Sequence, residues 1–197
     1  MRLWFNYPPG HPKRRDFLLR KLPHGAVCAE IGVLRGDFSE RILKLARARE
    51  LHLIDPWGAN SGDMLPEAED NYRFVRERFA SEIAAGRVII HRTTSLQASS
   101  EFPDSYFDWV YIDANHFYES VKQDLEVYCR KLKPGGALAG DDYHYPGNWY
   151  DGVTRAVDEF IRSGACTPLY LRRHSIKRHS QYMLRKPRDA DALRPAK

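Results

Sequence analysis

The run Val27-Cys28-Ala29-Glu30-Ile31-Gly32-Val33-Leu34-Arg35-Gly36 decides the fold. Its first half is short, apolar and free of turn formers, which reads as a buried strand; its second half holds two glycines, which read as a tight turn. Phe38, Ile42, Leu43 and Leu45 then recur at helical spacing over residues 38–48. Strand, glycine turn and helix in that order open a βαβ unit, whose crossover is right-handed and whose strands run parallel.

Outward from that unit the alternation continues. Residues 51–54, 87–91, 107–112 and 136–140 read as further strands. Between them, residues 72–84 carry Phe74, Val75, Phe79 and Ile83 at helical spacing. Residues 118–132 place Val121, Leu125, Tyr128 and Leu132 on one face and stop at Pro134-Gly135-Gly136. A helix over 153–161 leads to two late strands, 166–171 and 181–184, joined by a basic turn as a hairpin, and an apolar-basic helix around 16–22 precedes everything. The predicted class is α/β: a Rossmann-like, seven-stranded, mostly parallel sheet with a C-terminal antiparallel hairpin and helices on both faces. The stretch 56–71, which contains Gly, Asn and Pro, follows the second strand on the carboxyl edge, where open α/β sheets bind ligands, and is expected to be an irregular lid or substrate loop, with a plain surface insertion as the alternative.

Length and composition agree with one core: 197 residues, 43% hydrophobic and 29% charged. The expected organisation is one domain over 1–186, with 1–23 as a helical extension and 187–197 as a flexible basic tail. No run approaches the roughly 18 apolar residues of a membrane span, and Pro8 and Pro9 interrupt the segment where a signal peptide would be apolar. A soluble, cytoplasmic protein is expected. Cys28, Cys129 and Cys166 sit inside apolar elements and read as buried, reduced thiols. The net charge of +5 is concentrated near the end of the chain, with no aromatic residue interleaved in the tail, which disfavours a nucleic-acid arm.

The glycine turn alone fits many nucleotide enzymes; Glu30 discriminates. A carboxylate at the end of the first strand opposes a pyrophosphate but suits the ammonium and sulfonium charges of S-adenosylmethionine (SAM). The spacing also departs from G-x-G-x-x-G. Asp55 ends the second strand, where an acid accepts the hydroxyls of an adenosine ribose; as an alternative it caps the turn before Pro56. Ser95, after the third strand, falls where an adenine edge would lie. Glu30, Gly32, Gly36, Asp55, Ser95 and Asp113 form the expected cofactor set.

The fourth strand ends in Asp113-Ala114-Asn115-His116 and the fifth in Asp141-Asp142-Tyr143-His144. Converging carboxylates repel unless a cation or proton intervenes, and oxygen donors select a hard ion such as Mg²⁺. Asp113, Asp141 and Asp142 are therefore expected to hold a metal, with plain helix capping and turn roles as the competing explanation. His116 is the expected acceptor of a hydroxyl proton and His144 its substitute. Tyr143, Tyr145, Trp149 and Tyr150 read as lining an apolar or sugar-stacking pocket, or else as a packed loop.

Taken together, E-I-G-V-L-R-G-D-F-S (30–39), Y-I-D-A-N-H-F-Y-E-S-V-K-Q-D-L (111–125) and L-K-P-G-G-A-L-A-G-D-D-Y (132–143) resemble the class I SAM-dependent methyltransferases. More narrowly, they are similar to the macrolide-sugar and cephalosporin-type O-methyltransferases, over most of residues 24–162. The resemblance implies magnesium at Asp113, Asp141 and Asp142, His116 as general base, catalysis at His116 and Asp113, and SAM on Glu30, Gly32 and Asp55. The chain departs from the sugar enzymes in carrying Asp141 where they usually have Glu. The acceptor implied is a hydroxyl of a sugar or other small molecule. The rival functions are RNA ribose methylation and a non-catalytic SAM-binding module. Exocyclic-amine and C5 nucleic-acid methyltransferases are disfavoured, because D-A-N-H replaces their proline-aromatic turn and no Pro-Cys nucleophile is present. No membrane partner is expected, and a homo-oligomer is left open.

Overall fold

All five residues of β1 (Val27–Ile31) are buried, as a strand covered on both faces requires. In the computed structural model, which describes residues 14–59, 66–143, 151–171 and 181–188, β1 lies between β2 (Glu50–Ile54) and β4 (Phe107–Ile112). The other strands are β3 (Val88–His91), β5 (Leu132–Gly140), β6 (Thr167–Leu171) and β7 (Tyr182–Arg185), and the sheet order is β3-β2-β1-β4-β5-β7-β6. Neighbours from β3 to β5 pair in parallel; β7 runs antiparallel to both β5 and β6. The late pair is the expected hairpin, and the sheet is the mostly parallel seven-stranded one that the sequence pattern predicts.

Alternation along the strands divides the core in two. Ala29, Ile31, Val110, Ile112 and Leu138 face α5 (Ser95–Ser99), α6 (Tyr118–Lys131) and α7 (Asp151–Arg162). Cys28, Leu51, Leu53, Trp109 and Tyr111 face the opposite layer, α1 (Arg14–Leu19), α2 (Asp37–Arg41) and α3 (Pro66–Arg78). On α6, Val121, Leu125 and Tyr128 are buried as their spacing predicts, each worth roughly 1.5–3 kcal/mol of transfer free energy.

Four expectations change in detail. The helix expected over 38–48 is α2 followed by a π-helical turn (Ile42–Ala46), which ends at Arg47 in the left-handed region. The helix expected over 72–84 breaks at Phe79, whose non-helical backbone (φ −108°, ψ 22°) separates α3 from α4 (Ala80–Ala84) while its ring stays buried. Helix α3 starts at Pro66, so residues 66–71 of the expected loop are its first turns; 60–65 lie outside the described residues. Strand β5 starts directly after α6, and the register jumps from Phe107↔Leu132 to Trp109↔Ala137, so Lys133-Pro134-Gly135-Gly136 bulges rather than forming a separate turn.

At the start of the expected tail, the Gly135 amide donates to the carbonyls of Lys186 (3.1 Å) and Pro187 (3.3 Å); 189–197 lie outside the described residues. All three cysteines are buried and unbridged. Among the described residues no helix is long and apolar enough to cross a membrane.

Candidate active site

Strand order reverses direction between β1 and β4, and there the connections leave the sheet in opposite directions and open a crevice. A cleft of about 980 Å³ fills it, lined by the β1 turn (30–35), the end of β2 (54–56), the β4 turn (113–115), Ser95 on α5 and Asp124 on α6.

Gly32 is where the two switch-point turns touch. Its φ is +86°, and a Cβ there would stand 2.2 Å from the Asp113 carbonyl oxygen, so any side chain would drive the β1 and β4 turns apart. Gly36 does other work: it precedes α2 with φ +75° and packs on Phe79, 2.6 Å from a would-be Cβ, and the cleft lining does not include it.

The β1 turn has few amides to offer a pyrophosphate. Gly32 donates to the Ile54 carbonyl and Gly36 to that of Val33, while Val33 and Leu34 donate to Asp55 Oδ2 at 2.8 and 3.0 Å. Asp55 Oδ1 accepts from the Trp57 amide at 2.8 Å, and the Trp57 indole donates to the Leu34 carbonyl at 2.8 Å. Asp55 is thus first a staple holding Leu34 and Trp57 in their positive-φ conformations. A carboxylate has about four acceptor positions, so ribose hydroxyls remain compatible with it.

Glu30 is buried beneath the turn and accepts from Ser39 Oγ at 2.5 Å. Burial pushes its carboxyl up to about 8, with Ser39 and Arg15 opposing the shift. A buried acid at the floor of a cleft lacks a full countercharge, which a cationic ligand would supply. Ser95, expected near adenine, gives its hydroxyl to Asp124 Oδ1 at 2.5 Å, and its carbonyl accepts from Tyr128 Oη at 2.7 Å.

Asp113, His116, Asp141 and Asp142 come together as expected, but not as one triad of aspartates. Asp142 sits at φ +60°, a reversal that sends adjacent carboxylates in different directions. Asp142 Oδ2 lies 2.9 Å from His116 Nε2, whereas Asp141 pairs with Arg15 Nη2 and Asp113 Oδ2 lies 2.7 Å from Arg15 Nη1. The group whose ligand atoms all lie within 4.8 Å of one another is Asp113, His116 and Asp142. Burial raises the Asp113 carboxyl to about 6 against the pull of Arg15, and the Asp142 hydrogen bond raises His116 above the ordinary histidine value. His144, Tyr145, Trp149 and Tyr150 lie outside the described residues; Tyr143 is buried, and its hydroxyl donates to Asp158 Oδ1 at 2.6 Å.

Two participants escape the sequence reading. Asp124 carried a signal: it falls on the same α6 face as Val121, Leu125 and Tyr128, an acid in an apolar stripe, and burial raises it to about 6. Arg15 carried none beyond the need of three aspartates for a cation.

A doubly wound sheet with a buried acid under the first turn, and an acid-histidine cluster across the switch point, defines a class I SAM-dependent methyltransferase. The chain belongs to that family: residues 29–143 match the model described as a methyltransferase domain. Solved structures share the fold at low identity. A Corynebacterium glutamicum protein has a TM-score of 0.66 at 18% identity, covering 91% of this chain and 83% of that one. A Bacillus cereus O-methyltransferase in complex with SAH has 0.63 at 15%, covering 92% and 83%. A Clostridium thermocellum protein described as a candidate rRNA-methylase has 0.64 at 12%, covering 88% and 95%. No curated relative matches by sequence.

Proposed function

We propose that this methyltransferase acts on a hydroxyl group of a small molecule such as a sugar or natural product, with His116 as general base and a divalent cation assisting. The observation that carries the reading is the His116–Asp142 pair, 2.9 Å apart, with His116 directly following the 113–115 turn that lines the cofactor cleft. With Nε2 directed at Asp142, Nδ1 is the nitrogen that accepts the hydroxyl proton, an arrangement in which a carboxylate fixes tautomer and ring orientation.

Bound in the cleft, SAM supplies an electrophilic methyl group on a sulfonium sulfur. Glu30 would bind its ammonium end, Asp55 the ribose hydroxyls and the Ser95–Asp124 pair the adenine side; Gly32 lets the β1 and β4 turns meet beneath it. With SAM held so, His116 would accept the proton of the hydroxyl that receives the methyl group. The chain's residues fit a divalent ion: Asp113 and Asp142 would hold it, and it would lower the pKa of the acceptor hydroxyl. Two carboxylates supply hard oxygen donors that suit Mn²⁺ as well as Mg²⁺. The cleft, at about 980 Å³, lies at the upper end of small-molecule sites, about 300–1,000 Å³, which favours cofactor and a compact acceptor together.

Methyl transfer from labelled SAM to a panel of sugars, catechols and hydroxylated natural products tests the reading. Transfer to a hydroxyl that His116→Ala abolishes, with SAM binding intact, supports it. Transfer only to RNA, or SAM binding with no transfer to any acceptor, contradicts it.

A further inference from the structure

We propose that Arg15 is the resident counter-cation of the acidic cluster, so that a divalent ion enters by competing with it. The inference rests on the functional reading above and concerns how that site is loaded.

One guanidinium spans two strand ends: Nη1 meets Asp113 Oδ2 at 2.7 Å at the end of β4, and Nη2 meets the buried carboxylate of Asp141 after β5. The planar fork of arginine suits such a bridge, which a lysine point charge would make poorly. Behind it, the guanidinium lies 5.2 Å from the centre of the Phe38 ring, so one face is packed and only part of the group meets the cleft. Helix α1 is held independently of this contact. Leu18 and Leu19 are fully buried, and Asp16 pairs with Arg41, whose Nε lies 2.6 Å from Asp16 Oδ1. Arg15 is therefore aimed from an anchored helix.

Asp113 belongs to both arrangements: it is salt-bridged to Arg15 and is one of the three residues whose ligand atoms converge with those of His116 and Asp142. A dication at that group would share one carboxylate with a guanidinium, and like charges at one carboxylate repel. With Leu18 and Leu19 keeping α1 in place, the exchange needs only the Arg15 side chain to swing away. Its departure would also release Asp141 from the bridge, although Asp141 stands outside the converging group. Without metal, Arg15 prevents the carboxylates from repelling one another; with metal, it becomes redundant.

Isothermal titration of Mn²⁺ into wild type, Arg15→Lys and Arg15→Gln tests the competition, with SAH binding as the check that each variant is folded. Mutually exclusive cations predict that Arg15→Gln binds Mn²⁺ at least about tenfold more tightly than wild type, with Arg15→Lys between them. The melting temperature of Arg15→Gln should fall without Mn²⁺ and recover on its addition by more than wild type gains, a readout that also serves if the variant is too unstable for calorimetry. Equal Mn²⁺ affinity in all three proteins overturns the inference and leaves the metal reading standing. Absence of Mn²⁺ binding in all three, with SAH still bound, overturns the metal reading and the competition with it.

Discussion

The cleft and the β2–β3 edge both bury ionisable side chains, and they treat them in opposite ways. At the edge, Glu50 Oε1 meets His52 Nε2 at 2.8 Å, His52 Nδ1 meets His91 Nε2 at 2.9 Å and His91 Nδ1 meets Glu101 Oε2 at 2.7 Å. The Tyr106 hydroxyl donates to Glu50 at 2.5 Å, and Phe102 and Phe107 pack edge-on against His52. Three hydrogen bonds along this chain need three protons, one more than two neutral imidazoles carry. Burial holds His52 below the ordinary histidine value. Every polar atom named finds a partner inside the protein, from buried His52 outward to surface-exposed Glu101. In the cleft, Glu30 is buried with a serine hydroxyl and a displaced positive charge for company, and its carboxyl is pushed up to about 8. A closed network stabilises; an under-compensated one stores binding energy for a cationic ligand.

That contrast can be broken by mutation. The largest effect is expected at His116. His116→Ala should lower turnover by about 10²–10⁴-fold while leaving the SAM dissociation constant within a factor of about two; a parallel loss of SAM binding, measured by calorimetry, would assign His116 a structural role. Next comes Glu30→Gln, which keeps shape and removes charge. SAM affinity should drop about 30-fold or more, equivalent to about 2 kcal/mol, while the cofactor-free chain melts higher than wild type. Because burial raises Glu30 in the folded state, its neutral form prevails at low pH and folding stability is lost as pH rises from about 4.5 toward 8. The melting gain of Glu30→Gln should therefore be larger at pH 9 than at pH 5; a gain independent of pH would mean that Glu30 carries no buried charge.

The smallest effect on function is expected at the edge. His91→Phe strips His52 of a partner and should cost about 1–3 kcal/mol of stability by denaturant titration, with turnover and SAM affinity unchanged. A change in SAM affinity there would erase the distinction between the two networks.

The mostly parallel sheet with its closing hairpin was legible because short apolar runs alternate with helical spacing along the chain. Glu30, Asp55, Asp113 and His116 were legible because strand ends on one edge must meet at the switch point. What escaped was set by tertiary packing. Helix α5, Ser95-Leu96-Gln97-Ala98-Ser99, is too short to show a period, and the break at Phe79 follows from burying its ring. The division of Asp141 from Asp142 depends on one left-handed residue, for which an aspartate pair gives no sign. Arg15 reaches its partners across 98 and 126 positions of sequence, distances over which no local pattern operates.

The most direct test concerns Glu30. At pH 6.5 its carboxyl, raised to about 8, is protonated in the empty cleft and must ionise to hold the ammonium of SAM. Titrating SAM at that pH in two buffers of different ionisation enthalpy should show about one proton released per cofactor bound, none in Glu30→Gln, and affinity weakening about tenfold per unit as pH falls below 7. Binding to wild type with no proton released and no dependence on pH would contradict the placing of the donor's positive charge on this residue.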